Sequence, residues 1–225
     1  MEKGIFITAT GTDIGKTYIS ALLVKQLREA NINCNYFKPV LSGAIEHNSE
    51  LVAGDAKFVL DLAQIKENPQ EHVSYLFKNA VSPHLASKLE NKNIKLDKII
   101  TDYKKISGKS DFVIVEGAGG IICPLNIEEN LFIYDIPKTL NLSSIIVADA
   151  SLGTINTTFL TVDFMKRNDL KIKGIILNNF DKNNFMHQNN LETIEKICNV
   201  KVIGTVKKDA LTIDFIPKAL EGLYE

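Results

Sequence analysis

Short apolar runs punctuate the chain: IFI at 5–7, FVIV at 112–115, IIVA at 145–148, IIL at 175–177 and VKVI at 200–203. Most are unbroken and rich in β-branched side chains, the pattern of strands buried on both faces, as in a parallel sheet. Between them lie helical periodicities at 17–30, 55–64, 154–168 and 185–198; the first carries Ile19, Leu22, Leu23 and Leu27 on one mainly apolar stripe. Residues 35–37 add a strand near the first. Such alternation predicts an α/β fold: a single doubly wound, mostly parallel sheet flanked by helices, one domain over residues 1–225. Two segments break the rhythm. Residues 41–54 are polar and mixed and read as an active-site loop, while 66–83 are irregular and end in Ser82-Pro83, an N-cap followed by a first-turn proline. No repeat, low-complexity linker or shift of composition divides the chain.

In a parallel α/β sheet, ligands bind beyond the carboxyl ends of the strands. The residues that follow each apolar run are therefore the informative ones. After the first run comes TATGTDIGKT (8–17), close to a phosphate-binding loop but with Thr10 at the first glycine position and a glycine one place late, at Gly11. Lys38-Pro39 and Ser42-Gly43 follow the second strand, Glu116-Gly117-Ala118-Gly119-Gly120 the FVIV run, Asp149 the IIVA run and Asn178-Asn179 the IIL run. Polar and glycine-rich residues thus gather at one edge of the sheet.

Chemically, backbone N–H groups at a helix start attract anions, aided by the helix dipole. Gly15 allows close approach to phosphate oxygens, Lys16 neutralises them, and the Thr17 hydroxyl suits a Mg2+ position. The bland reading of the same loop is a strand–turn–helix with Thr12 or Asp13 as N-cap. A magnesium site takes oxygen ligands, and both Glu116 and Asp149 end an apolar run. Strand pattern alone does not choose between them, although the glycines after Glu116 leave room for a substrate. Asp55 taken alone reads first as a plain N-cap and only then as a ligand, and Lys38 alone would pass for a surface lysine. Beside a phosphate site it is a candidate for stabilising charge in phosphoryl transfer. His84, just after Ser82-Pro83, reads first as decoration of a helix start.

Composition removes several functional classes. The hydrophobic content of 45% suits a folded domain, and a formal charge of −1 gives no electrostatic footprint for nucleic acid. Lysines between 88 and 109 are interleaved with Glu90, Asp97 and Asp102, as on a solvated helix face. Cys34, Cys123 and Cys198 form no CxxC pair; a reducing cytoplasm is expected, with Cys34 and Cys123 as small buried hydrophobes. MEKGIF lacks the apolar run of a signal peptide, and no stretch approaches the roughly 18 apolar residues of a membrane span.

Together these motifs resemble those of dethiobiotin synthetase, of the P-loop NTPase superfamily. The resemblance is carried by Thr8-x-x-Gly-Thr-Asp-x-Gly-Lys-Thr17, Phe37-Lys38-Pro39 with Ser42-Gly43, and Gly54-Asp55. It continues through Ser82-Pro83-His84, Val115 to Gly120, Pro124-Leu125 and Gly153-x-Ile155-Asn156, in order and spacing from about residue 5 to 180. It implies closure of a ureido ring on 7,8-diaminopelargonate with CO2 and ATP, with Mg2+, through a carbamate and a carbamic-phosphoric anhydride. It further implies nucleotide contacts at Asp13, Ile14, Gly15, Lys16, Thr17, Asp55, Glu116, Gly117, Ala118, Gly119 and Asn178, the last as the adenine-reading asparagine. Lys16 and Lys38 would be catalytic, Thr17, Asp55 and Glu116 would surround the metal, and Ser42 would meet the diamine or its carbamate. Gly153 and Asn156 would reach a neighbouring subunit's substrate, which implies a homodimer.

The resemblance fades at 204–209, GTVKKD, where family members often place a proline-containing base loop. Two rival classes fit less well. A cobyrinate-type amide synthase would carry a further glutamine-hydrolysing domain. A nucleotide-switch protein of the partition or cell-division kind needs a second loop lysine where this chain has Gly11, and has no use for the Lys38/Ser42 pair.

Overall fold

Alternate residues of the central strands face opposite sides of one sheet. Ile5, Ile7, Ile114, Ile145, Val147 and Ile176 pack on one face, and Phe6, Val113, Val115, Ile146, Ala148, Ile175 and Leu177 on the other. This is the two-residue period of a strand with both faces buried, which explains why the runs are apolar without interruption. The computed structural model describes residues 4–47 and 50–223.

In chain order the elements begin β1 (Gly4–Ala9), α1 (Lys16–Glu29), β2 (Cys34–Ser42), β3 (Ile45–His47), β4 (Glu50–Val52), α2 (Gly54–Leu62), β5 (Val73–Phe77), α3 (Pro83–Leu89) and α4 (Leu96–Ser107). They continue with β6 (Phe112–Glu116), β7 (Pro124–Asn126), β8 (Leu131–Phe132), α5 (Asp135–Leu140), β9 (Ser143–Asp149), α6 (Thr154–Arg167), β10 (Ile172–Asn178), α7 (Phe185–Cys198), β11 (Val202–Thr205) and β12 (Asp214–Phe215). Eight strands make the main sheet in the order β12-β11-β10-β9-β1-β6-β2-β5, parallel except for β12. The chain leaves β1 in one direction, to β2, and later passes to β9 on the other side. A crevice opens where the winding reverses, at the carboxyl end of β1.

Helices α1 and α2 cover one face through Leu22, Leu23, Leu27, Val59 and Leu60. The other is covered by α4 (Ile99, Tyr103, Ile106), α6 (Val162, Met165) and α7 (Ile194, Cys198). The segment after β11 turns back along α1. There Tyr18 donates to Ala210 O, Lys25 Nζ to Leu211 O (3.2 Å), and Gln26 exchanges two bonds with Ile213, at 2.8 and 3.2 Å.

Several expectations need revision. Residues 41–54 are not simply a loop: β2 runs on to Ser42, and β3 and β4 form a small antiparallel hairpin. The irregular 66–83 segment contains β5, which pairs with β2 at the sheet edge. The strand expected at 200–203 begins at Val202, because Asn199 ends α7 in the left-handed region and the Val202 N–H is taken by Glu195. α2 stops at Leu62, with Gln64 left-handed just beyond. Cys34 is buried as expected, but Cys123 is only half-buried. No described helix is long and apolar enough to cross a membrane.

Candidate active site

The loop after β1 solves its missing glycine simply. The Thr10 N–H still bonds Val147 O of β9 (3.1 Å), so the chain remains strand-like where the usual motif turns. The reversal is made later, by left-handed Asp13 (φ 57°) and Gly15 (φ 97°). Gly15 is needed twice over. Its backbone conformation favours glycine, and a Cβ there would lie 2.2 Å from Asn178 Nδ2. That Asn178 amide donates to Ile14 O (3.0 Å), bracing the loop from the tip of β10. No side chain caps α1 and no acid stands in its first turn, leaving a helix start suited to an anion.

Side chains of α1 and β2 then converge on one carboxylate. Glu116, at the end of β6, has no solvent exposure. Its Oε1 accepts from Thr17 Oγ1 (2.8 Å) and Lys38 Nζ (2.6 Å), and its Oε2 accepts from Tyr36 OH (2.8 Å). Lys38 Nζ also pairs with Asp55 Oδ2 (2.8 Å) and donates to Gly117 O (3.3 Å). Burial pulls the Lys38 pKa down, but Glu116 and Asp55 outweigh it and hold the ammonium above the ordinary lysine range. Lys16 behaves in the opposite way. Burial, then the charge of Lys38, lower its pKa against the pull of Glu116, Asp55 and Asp13, and its Nζ reaches only the Gly11 carbonyl (3.1 Å). The Tyr36 phenol is pushed well above its usual pKa by burial and the neighbouring carboxylates, so it stays a donor.

These groups line a cavity of about 410 Å³ that includes Asp13, Gly15, Lys16, Thr17, Lys38, Ser42, Asp55, Glu116, Ala118 and Gly119. Ile14 and Gly117 contribute main chain beside it: Gly117 N–H bonds Ile7 O (2.9 Å), and its missing Cβ would meet Phe6 at 2.8 Å. Asp149 is turned to other work, accepting from Ser151 N (2.9 Å) and Asn179 Nδ2 (2.6 Å). Gly153 and Asn156 stay outside the cavity, exposed at the start of α6. His84 lies apart, in a different cavity beside Leu125 and Asn126.

Among the described residues no group of three or more His, Cys, Asp or Glu side chains could hold a metal. Asp55 and Glu116, both on the Lys38 ammonium, and Thr17, on Glu116, nevertheless form an all-oxygen set. Mg2+ takes such a set when phosphate and water complete its shell. Tyr36 went unnoticed in the sequence; its signal is the strand period, which places it on the same face of β2 as Lys38.

A family model described as an AAA domain matches residues 3–214. An ATP-dependent dethiobiotin synthetase BioD of Clostridium botulinum (strain Eklund 17B / Type B) is 50% identical over 100% of this chain and 99% of its own length. Another, from strain ATCC 19397 / Type A, is 46% identical with the same coverage. Among solved structures, a ParA family ATPase from Chlorobium tepidum TLS aligns with TM-score 0.58 and 16% identity, covering 100% of this chain and 91% of its own. The septum site-determining protein MinD from Pyrococcus horikoshii OT3, complexed with Mg-ADP, aligns with TM-score 0.54 and 20% identity, over 92% and 82%. At such identity these structures show the P-loop fold alone. Identity near one half along the whole chain goes further: the chain belongs to the ATP-dependent dethiobiotin synthetase family, ligases of biotin biosynthesis that form a C–N bond, within the wider AAA-domain group.

Proposed function

We propose that residues 1–225 form one P-loop α/β domain that closes the ureido ring of dethiobiotin from 7,8-diaminopelargonate, CO2 and ATP. The observation that carries this reading is the Lys38 ammonium, bound by Glu116 and Asp55 at the mouth of the phosphate loop. A nucleotide switch has no need of it; a phosphoryl-transfer enzyme does.

ATP phosphates seat on the start of α1, with Lys16 on the β and γ groups and Asn178 towards the base. Thr17, Asp55 and Glu116 would hold Mg2+, which when bound would neutralise phosphate charge. Ser42 orients the diamine, one of whose amines has taken up CO2 as a carbamate. The carbamate oxygen attacks the γ-phosphorus, ADP departs, and Lys38 offsets the charge on the transferring group. The second amine then attacks the carbamic-phosphoric anhydride and phosphate leaves. No covalent enzyme intermediate arises; positioning and charge neutralisation carry the rate.

The second subunit enters through α6. Leu152 is 87% exposed, and exposed Ile122 and Leu160 line one cavity with Thr157 of α6, which supports a homodimer that brings Gly153 and Asn156 to the neighbouring site. A cytoplasmic location fits three free cysteines. The test is phosphate release from Mg-ATP with and without the diamine and bicarbonate, with product mass. Release that depends on the diamine, with a dethiobiotin mass, is expected; turnover indifferent to the diamine would overturn the substrate assignment.

A further inference from the structure

Glu116 has three side-chain partners, and two of them are wanted elsewhere. Resting on the reading above, Thr17 turns to the metal and Lys38 to the transferring phosphoryl group, and both leave Glu116 Oε1. We propose that Tyr36 is a positioning residue, the fixed donor that keeps the Glu116 carboxylate aimed at the metal while its other partners leave.

The geometry separates Tyr36 from the other two. Among the described residues it is the sole side-chain donor on Oε2, the oxygen that neither Thr17 nor Lys38 uses. Tyr36 and Lys38 sit two apart on β2 and share a face. Lys38 has a long flexible stem at the strand's cavity end, however, whereas the Tyr36 ring is fully enclosed in the core with Ile7, Ile114 and Leu23. Its main chain is held as well: Tyr36 pairs in register with Ile114 of β6, and His72 Nδ1 donates to Tyr36 O (2.8 Å), the role a carbonyl imposes. A phenol gripped in this way cannot follow a ligand. Without its hydroxyl, Oε2 would be a buried charged oxygen lacking a donor, and the carboxylate would turn to seek one. The carboxylate so released is the one whose direction sets the metal shell.

Tyr36→Phe removes one oxygen and keeps the ring. Binding of a fluorescent ATP analogue is titrated with Mg2+, beside thermal unfolding and steady-state kinetics. Expected are a Mg2+ midpoint raised about tenfold and kcat lowered by a similar factor. The KM for the diamine and nucleotide binding in chelator should stay close to wild type, while the melting temperature of the ligand-free protein falls because the buried Oε2 loses its donor. A lowered melting temperature with an unmoved Mg2+ midpoint would make Tyr36 merely structural and overturn the proposal, as would a variant indistinguishable from wild type. Wild type that binds nucleotide without regard to Mg2+ would overturn the metal reading itself, and this proposal with it. If Tyr36→Phe does not fold, the crystal structure of wild type with Mg2+ and a non-hydrolysable ATP analogue decides. Tyr36 still on Oε2 with Lys38 and Thr17 gone from Oε1 supports the inference; Tyr36 detached, or Lys38 still on Glu116, overturns it.

Discussion

The two ends of β2 carry polar cavities of nearly equal size, yet their charges are arranged for opposite purposes. At the carboxyl end the cavity is about 410 Å³; at the amino end it is about 380 Å³, lined by Asn35, Glu67, His72, Lys98, Asp102 and Lys105 among others. At the amino end, one acid is answered by its neighbours. Asp102 accepts from Lys98, Lys105 and Ser74, and His72 Nε2 lies 3.1 Å from Glu67, though out of line for a hydrogen bond. At the carboxyl end, Lys16 finds only a main-chain carbonyl and Lys38 draws two carboxylates together. One cavity has its central carboxylate, Asp102, paired by its own side chains. The other, on the reading proposed above, would be completed by phosphate and metal, so volume says little about function and unpaired charge says more.

The comparison is broken most severely at Lys38. Lys38→Ala should lower turnover about 10²- to 10⁴-fold, read by diamine-dependent phosphate release, with nucleotide binding largely kept. It should also destabilise the ligand-free protein by about 3 kcal/mol, since buried Glu116 loses its cation, and Mg2+ should restore part of that loss in thermal unfolding. Lys16→Ala comes next: a loss of about tenfold or more in nucleotide affinity with little change in unfolding temperature. Glu116→Gln and Asp55→Asn should raise the Mg2+ requirement, Glu116 more strongly because it is enclosed while Asp55 is partly open; an unchanged metal titration would count against both assignments.

The smallest effect belongs to the other end. Asp102→Asn should leave turnover unchanged and cost at most about 1 kcal/mol. Burial raises the Asp102 pKa, but hydrogen bonds from Lys98, Lys105 and Ser74 outweigh it and hold the carboxyl below its usual range. A depressed acid adds stability above its unfolded pKa and loses it as pH falls through the folded value. The gap in unfolding between wild type and variant should therefore shrink as pH drops below about 4. A gap that widened there would remove the pairing from the account.

What could be read in advance follows the same division. The central strands announce themselves because both faces are buried, and the phosphate loop because Gly15-Lys16-Thr17 follows one of them. β5 was hidden because an edge strand is only half-covered: Val73, Tyr75 and Leu76 are partly exposed and Ser74 interrupts the apolar run. Cys123 reads as core in the sequence, yet it stands in the wall of another cavity with Gly119, Gly120 and Leu160, where burial raises its thiol to about 11. Tyr36 looked like any aromatic in a strand. Its hydroxyl matters only through Glu116, 80 residues away in sequence, and no local pattern records such a partner.

The return of the last segment along α1 places a clock on this architecture. Gln26 and Ile213 lie 187 residues apart, so the helix that presents the phosphate loop gains its outer bracing only after nearly the whole chain has been synthesised. Contacts of such long range form late. A nascent chain will therefore own every residue of its phosphate loop well before it can hold that loop steady, and competence for ATP should appear among the final events of folding.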